Sequence, residues 1–305
     1  MQKQSPMDTL IYIFGEVLFD HFPDGSRILG GAPFNVAWHL QAFGLSPQLI
    51  SRVGYDVDGQ IIKDLMTDWG MSQVGLQSDS QHPTGQVKIK FQDGEPCYEI
   101  IVDSAYDFID AELIPEIGTQ DITQEAAQSI LYHGSLALRN PIALKALNVL
   151  KSRHQGNIFM DVNLRAPWWN RDTLFPLLHD ATWVKLNEDE LSELGSEASS
   201  LELAIQQFGD KFDLEGIIIT LGERGAIVYS NQEFISVHPN VKAQVVDTVG
   251  AGDAFASVFL LGLSQQWPIA ITLERAQAFA AELVTRRGAT IADAEFYRAF
   301  SQDWN

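Results

Sequence analysis

Most features that mark a membrane, nucleic-acid or disulfide-bonded protein are missing from this chain. Cys97 is the only cysteine, which excludes an internal disulfide and any multi-cysteine metal site. Basic residues are scarce: 20 Lys and Arg stand against 40 Asp and Glu, and the net charge of −20 argues against nucleic-acid or anionic-membrane partners. No apolar run approaches the ~18 residues of a membrane span. Met1 to Asp8 is polar and lacks a signal peptide's apolar region, so a reducing cytoplasm is the expected location. The seven histidines show no metal-ligand spacing, and His133, at the end of an apolar run, reads as a packed or capping residue. The Gly-x-x-x-x-Gly-Lys-Ser/Thr string is absent, which removes the P-loop kinases. Internal repeats and low-complexity stretches are absent as well.

What is present is a chain of 305 residues that is 46% apolar, ample for a sizeable core. Its length suits one large α/β domain over 1–305, with room for a small appendage. Leu10 to Phe14 reads as a buried first strand and Pro33 to Phe43 as a helix stopped by Gly44. Strand Leu49 to Val53 and helix Asp58 to Trp69 follow. The period then changes: Val87, Ile89 and Phe91 alternate with polar residues, and Asp93-Gly94 turns the chain towards Tyr98, Ile100 and Val102. That pattern predicts a hairpin with one apolar face, projecting from the α/β body as a lid formed mainly by 83–103. Downstream the rhythm resumes, with strands at 130–133, 157–161, 182–186 and 216–220 separated by helices. A second hairpin is expected over 226–237, and two helices, 254–265 and 269–286, are expected to close the chain. Repeated β-then-α units imply a three-layer sandwich, a mainly parallel sheet with helices on both faces. In such sheets, polar residues just past the strands form the binding crevice.

The most informative string is Val246-Asp247-Thr248-Val249-Gly250-Ala251-Gly252-Asp253, followed by an apolar helix. Gly250 and Gly252 let successive N–H groups point one way at a helix N-terminus, a place that holds a phosphate or a developing oxyanion. A carboxylate there would repel an anion unless it has a chemical task. For Asp253 that task is taking a proton from a hydroxyl that attacks a phosphoryl group. The plainer alternative is an acid that complements the helix dipole.

This string resembles the C-terminal signature of the ribokinase-like (PfkB) carbohydrate kinases, and Gly30-Gly31-Ala32-Pro33-Phe34-Asn35-Val36-Ala37, with Leu40 and Gly44, resembles their N-terminal signature. The resemblance implies ATP-dependent phosphorylation of a sugar hydroxyl. Asp253 becomes the general base, and the backbone of Gly250, Ala251, Gly252 and Asp253 becomes the anion hole, with Thr248 beside it on the nucleotide side. It also implies magnesium, with potassium as a further candidate cation, and a homodimer in which two lids clasp.

Other residues gain roles from the same resemblance. Asp20, within Gly15-Glu16-x-x-x-Asp20, serves as a solvated loop acid or, as the family implies, as a sugar ligand. Asn35 caps a helix or, with Gly31, contacts the sugar. Asp161-Val162-Asn163-Leu164-Arg165 is either a structural Asp–Arg loop or a substrate loop in which Asn163 and Arg165 hold sugar or phosphate oxygens. The fructokinase and 2-keto-3-deoxygluconate kinase branches carry proline where Val162 stands, a change expected to alter loop stiffness rather than chemistry. Asn187 and Glu190 have capping-box spacing. In the family the same pair orders water on the magnesium, Glu190 acting through water. Thr220, Gly222 and Gly225 are implied to lie along the nucleotide. Fructokinase is the nearest branch; ribokinase, 2-keto-3-deoxygluconate kinase and nucleoside kinase are the alternatives. A sugar-binding sensor without catalysis would have no use for Asp253.

Overall fold

The computed structural model describes residues 9–92, 95–115, 129–195, 197–239 and 245–304. The expected Asp93-Gly94 turn, and Gln244 of the segment before the phosphate turn, lie outside these residues. Two sheets organise the chain. The large one has nine strands. Its parallel centre consists of β1 (Ile11–Phe14), β4 (Gln48–Gly54), β5 (Leu76–Asp79), β8 (Ile130–His133), β9 (Asn157–Asp161), β10 (Trp183–Asn187) and β11 (Gly216–Thr220). An antiparallel pair, β12 (Ala226–Ser230) and β13 (Glu233–Val237), extends one edge. The strand order is β13-β12-β11-β10-β9-β8-β1-β4-β5. β1, β8 and β11 are apolar almost throughout, as strands covered on both faces must be.

Helices cover both faces. One face carries α1 (Ala32–Ala42), α2 (Val57–Asp68), α7 (Ala251–Ser264), α8 (Ile269–Leu283) and α9 (Ala294–Trp304), whose Phe34, Phe259, Phe279 and Tyr297 are buried in a shared core with Ile13 and Ile218. The other carries α3 (Pro141–Arg153), α4 (Arg171–Asp180), α5 (Glu188–Leu194) and α6 (Leu201–Phe212), packed through Leu147, Leu178 and Phe208 on Ile217 and Ile219. The helix α9 corrects the expectation that the chain closes with two helices. Its Phe296, Tyr297, Phe300 and Trp304 form one aromatic flank that meets Phe43 and Phe279. Among the described residues no helix is long and apolar enough to cross a membrane.

The small sheet has four strands rather than the two of the expected hairpin. β6 (Gly85–Gln92) and β7 (Glu95–Ile100) pair antiparallel, with Val87 opposite Ile100 and Ile89 opposite Tyr98. β2 (Leu18–His21) and β3 (Arg27–Gly30) complete it in the order β3-β2-β6-β7, with β2 parallel to β6. Thus the lid begins directly after β1 and extends well outside 83–103. β7 ends at Ile100, short of Val102, because Asp103 turns the chain with φ 54°. Val87 and Ile89 are buried and Tyr98 remains 56% exposed, so the apolar stripe lies mostly against the chain's own body.

Candidate active site

Residues past the C-terminal ends of the parallel strands, together with the inner face of the small sheet, enclose a cleft of about 620 Å³. Asp20, Gly31, Asn35, Asn163, Arg165, Asn187, Glu190, Thr220, Thr248, Gly250, Gly252 and Asp253 all line it. Of the residues singled out from the sequence, Ala251, Gly222 and Gly225 are the ones outside that lining. Gly222 and Gly225 instead shape a tight turn between β11 and β12, where Gly225 N–H donates to Gly222 O at 3.1 Å.

The turn at Gly250 is built by glycine and held by two neighbours. Gly250 caps α7 with φ 80° and ψ −3°, in the left-handed region, and a Cβ there would fall 2.5 Å from Cβ of Ala289. Conformation and space both demand glycine. Asp247 ties the turn to the loop after α8: its carboxylate accepts from Val249 N–H at 3.0 Å and from Gly288 N–H at 3.1 Å. Ala251 N–H donates to Thr248 O at 3.3 Å. The next amides, of Gly252 and Asp253, belong to the first helical turn, whose N–H groups have no intrahelical acceptor.

Asp253 follows at the third position of α7. Its Oδ2 accepts a 2.7 Å hydrogen bond from Nδ2 of Asn35, a buried residue of α1, while Oδ1 of Asn35 is buried without a protein partner. Burial raises the Asp253 pKa, the Asn35 hydrogen bond opposes it, and Asp161 adds to the rise. A carboxylate tuned in this way holds a proton better than a solvated aspartate does, as a general base requires. Asn35 therefore fixes the Asp253 carboxylate with one end of its amide and leaves the other end without a protein partner.

Lys185 was not apparent as a site residue. It sits opposite Asp161 in the β9–β10 register, and its buried Nζ lies 2.8 and 3.0 Å from the Asp161 carboxylate oxygens. A Cβ on Gly252 would stand 3.4 Å from that nitrogen, so the ammonium is beside the anion turn. Burial works against its charge, but Asp161 prevails and raises its pKa. Asp161 thus pairs with lysine from the neighbouring strand rather than with Arg165. Arg165 is exposed; its carbonyl accepts from Trp168 N–H at 2.7 Å, while its guanidinium has no ion pair or hydrogen bond among the described residues.

The loop after β9 is fixed by backbone bonds. Val162 N–H donates to Lys185 O at 3.0 Å, a bond that proline could not make, and Val162 O accepts from the Ser135 hydroxyl at 2.6 Å. Asn163 has φ 39°. Leu164 N–H donates to Glu190 Oε1 at 2.7 Å, while Asn187 and Glu190 form the reciprocal capping box at 2.8 Å each way. Both Glu190 oxygens thus accept backbone N–H groups, and burial raises its pKa. Each oxygen retains a lone pair for a water molecule.

Two more carboxyls line the cleft. Asp20, on β2, has its pKa pushed up to about 6 by burial, with His21 and Arg165 opposing. Glu16, just past β1, is 3% exposed, and its Oε2 is buried with no protein partner. Burial and the Asp253 charge lift its pKa to about 7. Among the described residues no group of three or more His, Cys, Asp or Glu could cage a metal; a magnesium shared with nucleotide phosphates needs no such cage.

A carboxylate at a glycine turn, gripped by the asparagine of a Gly-Gly-Ala-Pro-x-Asn helix from the far end of the chain, unites the two signatures. The pattern of the pfkB family carbohydrate kinases matches residues 10–295. The chain belongs to that family. It is a fructokinase-like carbohydrate kinase with the ribokinase-like fold. A fructokinase of Salmonella typhimurium is 28% identical to it over 306 residues, covering 94% of this chain and 96% of that protein. The solved fructokinase of Vibrio cholerae O395, with fructose, ADP and calcium ion bound, matches with TM-score 0.81 at 25% identity over 95% of this chain and 98% of that one. Aminoimidazole riboside kinase from Salmonella enterica, complexed with aminoimidazole riboside and an ATP analogue, gives 0.81 at 25% identity over 96% and 100%.

For this kinase, sequence reasoning missed Glu16 and Lys185 for different reasons. Lys185 looks like an ordinary strand residue until the register sets it against Asp161. Glu16 stood inside the quoted Gly15-Glu16-x-x-x-Asp20 string, and its signal was a charged residue directly after a wholly apolar strand.

Proposed function

We propose that this kinase transfers the γ-phosphoryl group of ATP to a hydroxyl of D-fructose, giving fructose 6-phosphate. The observation that carries the phosphotransfer is Asp253, held by Asn35 at the mouth of the Gly250 turn and beside Lys185. Asp253 takes the proton of the acceptor hydroxyl as its oxygen attacks phosphorus in line, and the bond to ADP breaks. The amides of Gly252 and Asp253 steady the charge on the transferred group, and Lys185 supplies the nearest fixed cation. Asn187 and Glu190 would hold magnesium through water, and that ion when bound neutralises phosphate charge. The lid keeps competing water away from the phosphoryl group.

Fructose is favoured by Asp20 at the lid, whose carboxyl suits neutral hydroxyls and, once ionised, would repel a carboxylate-bearing sugar. The unpaired Arg165 supports a second reading, a 2-keto-3-deoxygluconate kinase in which that guanidinium holds the substrate carboxylate. The same proposal includes a homodimer through the lids, for which the exposed Tyr98 on β7 is the support. ADP release measured against hexoses, pentoses, sugar acids and nucleosides tests the assignment. D-fructose is expected to give the highest kcat/KM; a sugar acid in first place reassigns the substrate, and no turnover with any acceptor sinks the kinase reading.

A further inference from the structure

The mechanism above leaves one buried group of the cleft without a task. Glu16 is 3% exposed, lines the cleft, and presents an Oε2 that no protein atom satisfies. An unpaired buried carboxyl oxygen costs roughly 1–3 kcal/mol unless something meets it when the site is filled. Its backbone has no room to move it elsewhere. A Cβ on Gly31 would come 2.6 Å from Glu16 O, and one on Gly15 would come 2.4 Å from the Pro33 ring. The Gly31–Pro33 turn is therefore clamped around the Gly15–Glu16 peptide, and the side chain starts from a fixed point in the cleft wall.

We propose that Glu16 is a second hydroxyl-reading residue of the acceptor site, hydrogen-bonding the sugar from the strand side while Asp20 does so from the lid. This deepens the kinase reading and rests on it. Groups from each surrounding element bear on Glu16. Asp253 on α7 repels its negative charge, while Arg165 after β9 and Arg139 before α3 attract it. Its charge is felt in turn by the hydroxyls of Tyr106 and Tyr132. Arg139 forms its ion pair with Asp107 and not with Glu16: its Nε and Nη2 bond Asp107 at 2.7 and 2.8 Å, Ile101 O and the Tyr106 hydroxyl, while its Nη1 is buried without a hydrogen-bond partner. Burial decides the balance, and Glu16 holds its proton up to about pH 7. In that state one carboxyl both donates and accepts, which matches a hydroxyl's own dual nature. Asp20, with its pKa pushed up to about 6, ionises before Glu16 and then can only accept. The pair thereby reads hydroxyls of either orientation, and a nucleotide's negative charge nearby moves the Glu16 titration higher still.

Steady-state kinetics of the full chain with ATP and its best sugar, from pH 6 to 9, provide the test. Glu16→Ala is expected to raise the sugar KM roughly 10–100-fold, the effect of one unpaired polar contact, with the ATP KM within about twofold. Glu16→Gln, which keeps a donor and an acceptor at one carboxamide, is expected to recover most of that sugar affinity. It should also abolish the wild-type rise in sugar KM as pH climbs past neutrality. An unchanged sugar KM in Glu16→Ala, or equal rises for sugar and ATP, overturns the assignment. A Glu16→Gln enzyme as impaired as Glu16→Ala at every pH, or one that keeps the wild-type pH dependence, also overturns it. If Glu16→Ala fails to fold, the Glu16→Gln pH comparison decides alone. Failure of the underlying kinase reading looks different, since the wild type itself would then release no ADP with any acceptor.

Discussion

At the scale of single residues, carboxyl groups set the chemistry of the cleft, and Asp253 is the one proposed to govern turnover. Asp253→Asn keeps shape and the bond to Asn35 within reach but cannot take a proton. Turnover is expected to fall by roughly 10²–10⁴ with ATP affinity largely kept; a variant within a few-fold of wild type in single-turnover phosphorylation would mean that another group is the base. Glu16 yields a separate, thermodynamic expectation. Its pKa rises from an ordinary 4.5 to about 7 on folding, so the folded state binds the proton more tightly than the unfolded state does. Stability from this group is therefore complete below about pH 4.5 and is lost as pH rises through about 7. The loss amounts to roughly 3 kcal/mol at most. Glu16→Gln should remove this slope, so that urea denaturation shows the variant gaining on wild type between pH 5 and pH 8. Parallel stability curves would show that the buried carboxyl does not titrate as described.

At the scale of elements, strand β1, the parallel strands from β8 to β11 and the phosphate turn were legible because their burial leaves a plain mark: apolar runs ending in glycine or a polar residue. β2 and β3 were not, since Leu18-Phe19-Asp20-His21 and Arg27-Ile28-Leu29-Gly30 are too short and mixed to signal a strand, and become one by pairing with β6 and with each other. The helix α9 did carry a helical spacing of aromatics, but its purpose shows only in the fold. There Tyr297 donates to His39 Nδ1 at 2.9 Å, and His39 Nε2 donates to Ala289 O at 3.0 Å. The carbonyl can only accept, which sets that tautomer. Burial holds the His39 pKa down at about 3, so the ring is neutral at any working pH. This relay ties α1, which carries Asn35, to the loop whose Ala289 abuts Gly250. His39→Phe leaves the Tyr297 O–H without its acceptor and the Ala289 carbonyl without its donor, and is expected to cost about 2–5 kcal/mol of stability. His39→Gln should cost less. Equal urea midpoints for wild type and His39→Phe would show that the relay locks nothing.

For the whole molecule, the lid carries the proposed assembly. Val87 and Ile89 are covered by the chain itself, whereas Tyr98, opposite Ile89, lines the cleft and is 56% exposed. One aromatic placed this way can close its own cleft and meet a second lid. Tyr98→Glu is expected to halve the sedimenting mass at micromolar concentration and to raise the sugar KM. A wild type that sediments as a monomer removes the clasp, and unchanged kinetics in the variant would show that Tyr98 does not serve the cleft.

The hydrogen bond between Asn35 and Asp253 joins residues 218 positions apart, and His39 to Ala289 spans 250. All nine strands of the large sheet lie upstream of α7, so they can leave the ribosome before the base proposed at Asp253. If that role holds, the nascent chain is inert: it can place β1 between β4 and β8, but it cannot transfer phosphate until α7 emerges and docks. On that proposal a message truncated between β13 and Gly250 yields all nine strands with the apolar face under α7, α8 and α9 uncovered and no kinase activity, a product fit for proteolysis rather than for wasteful hydrolysis.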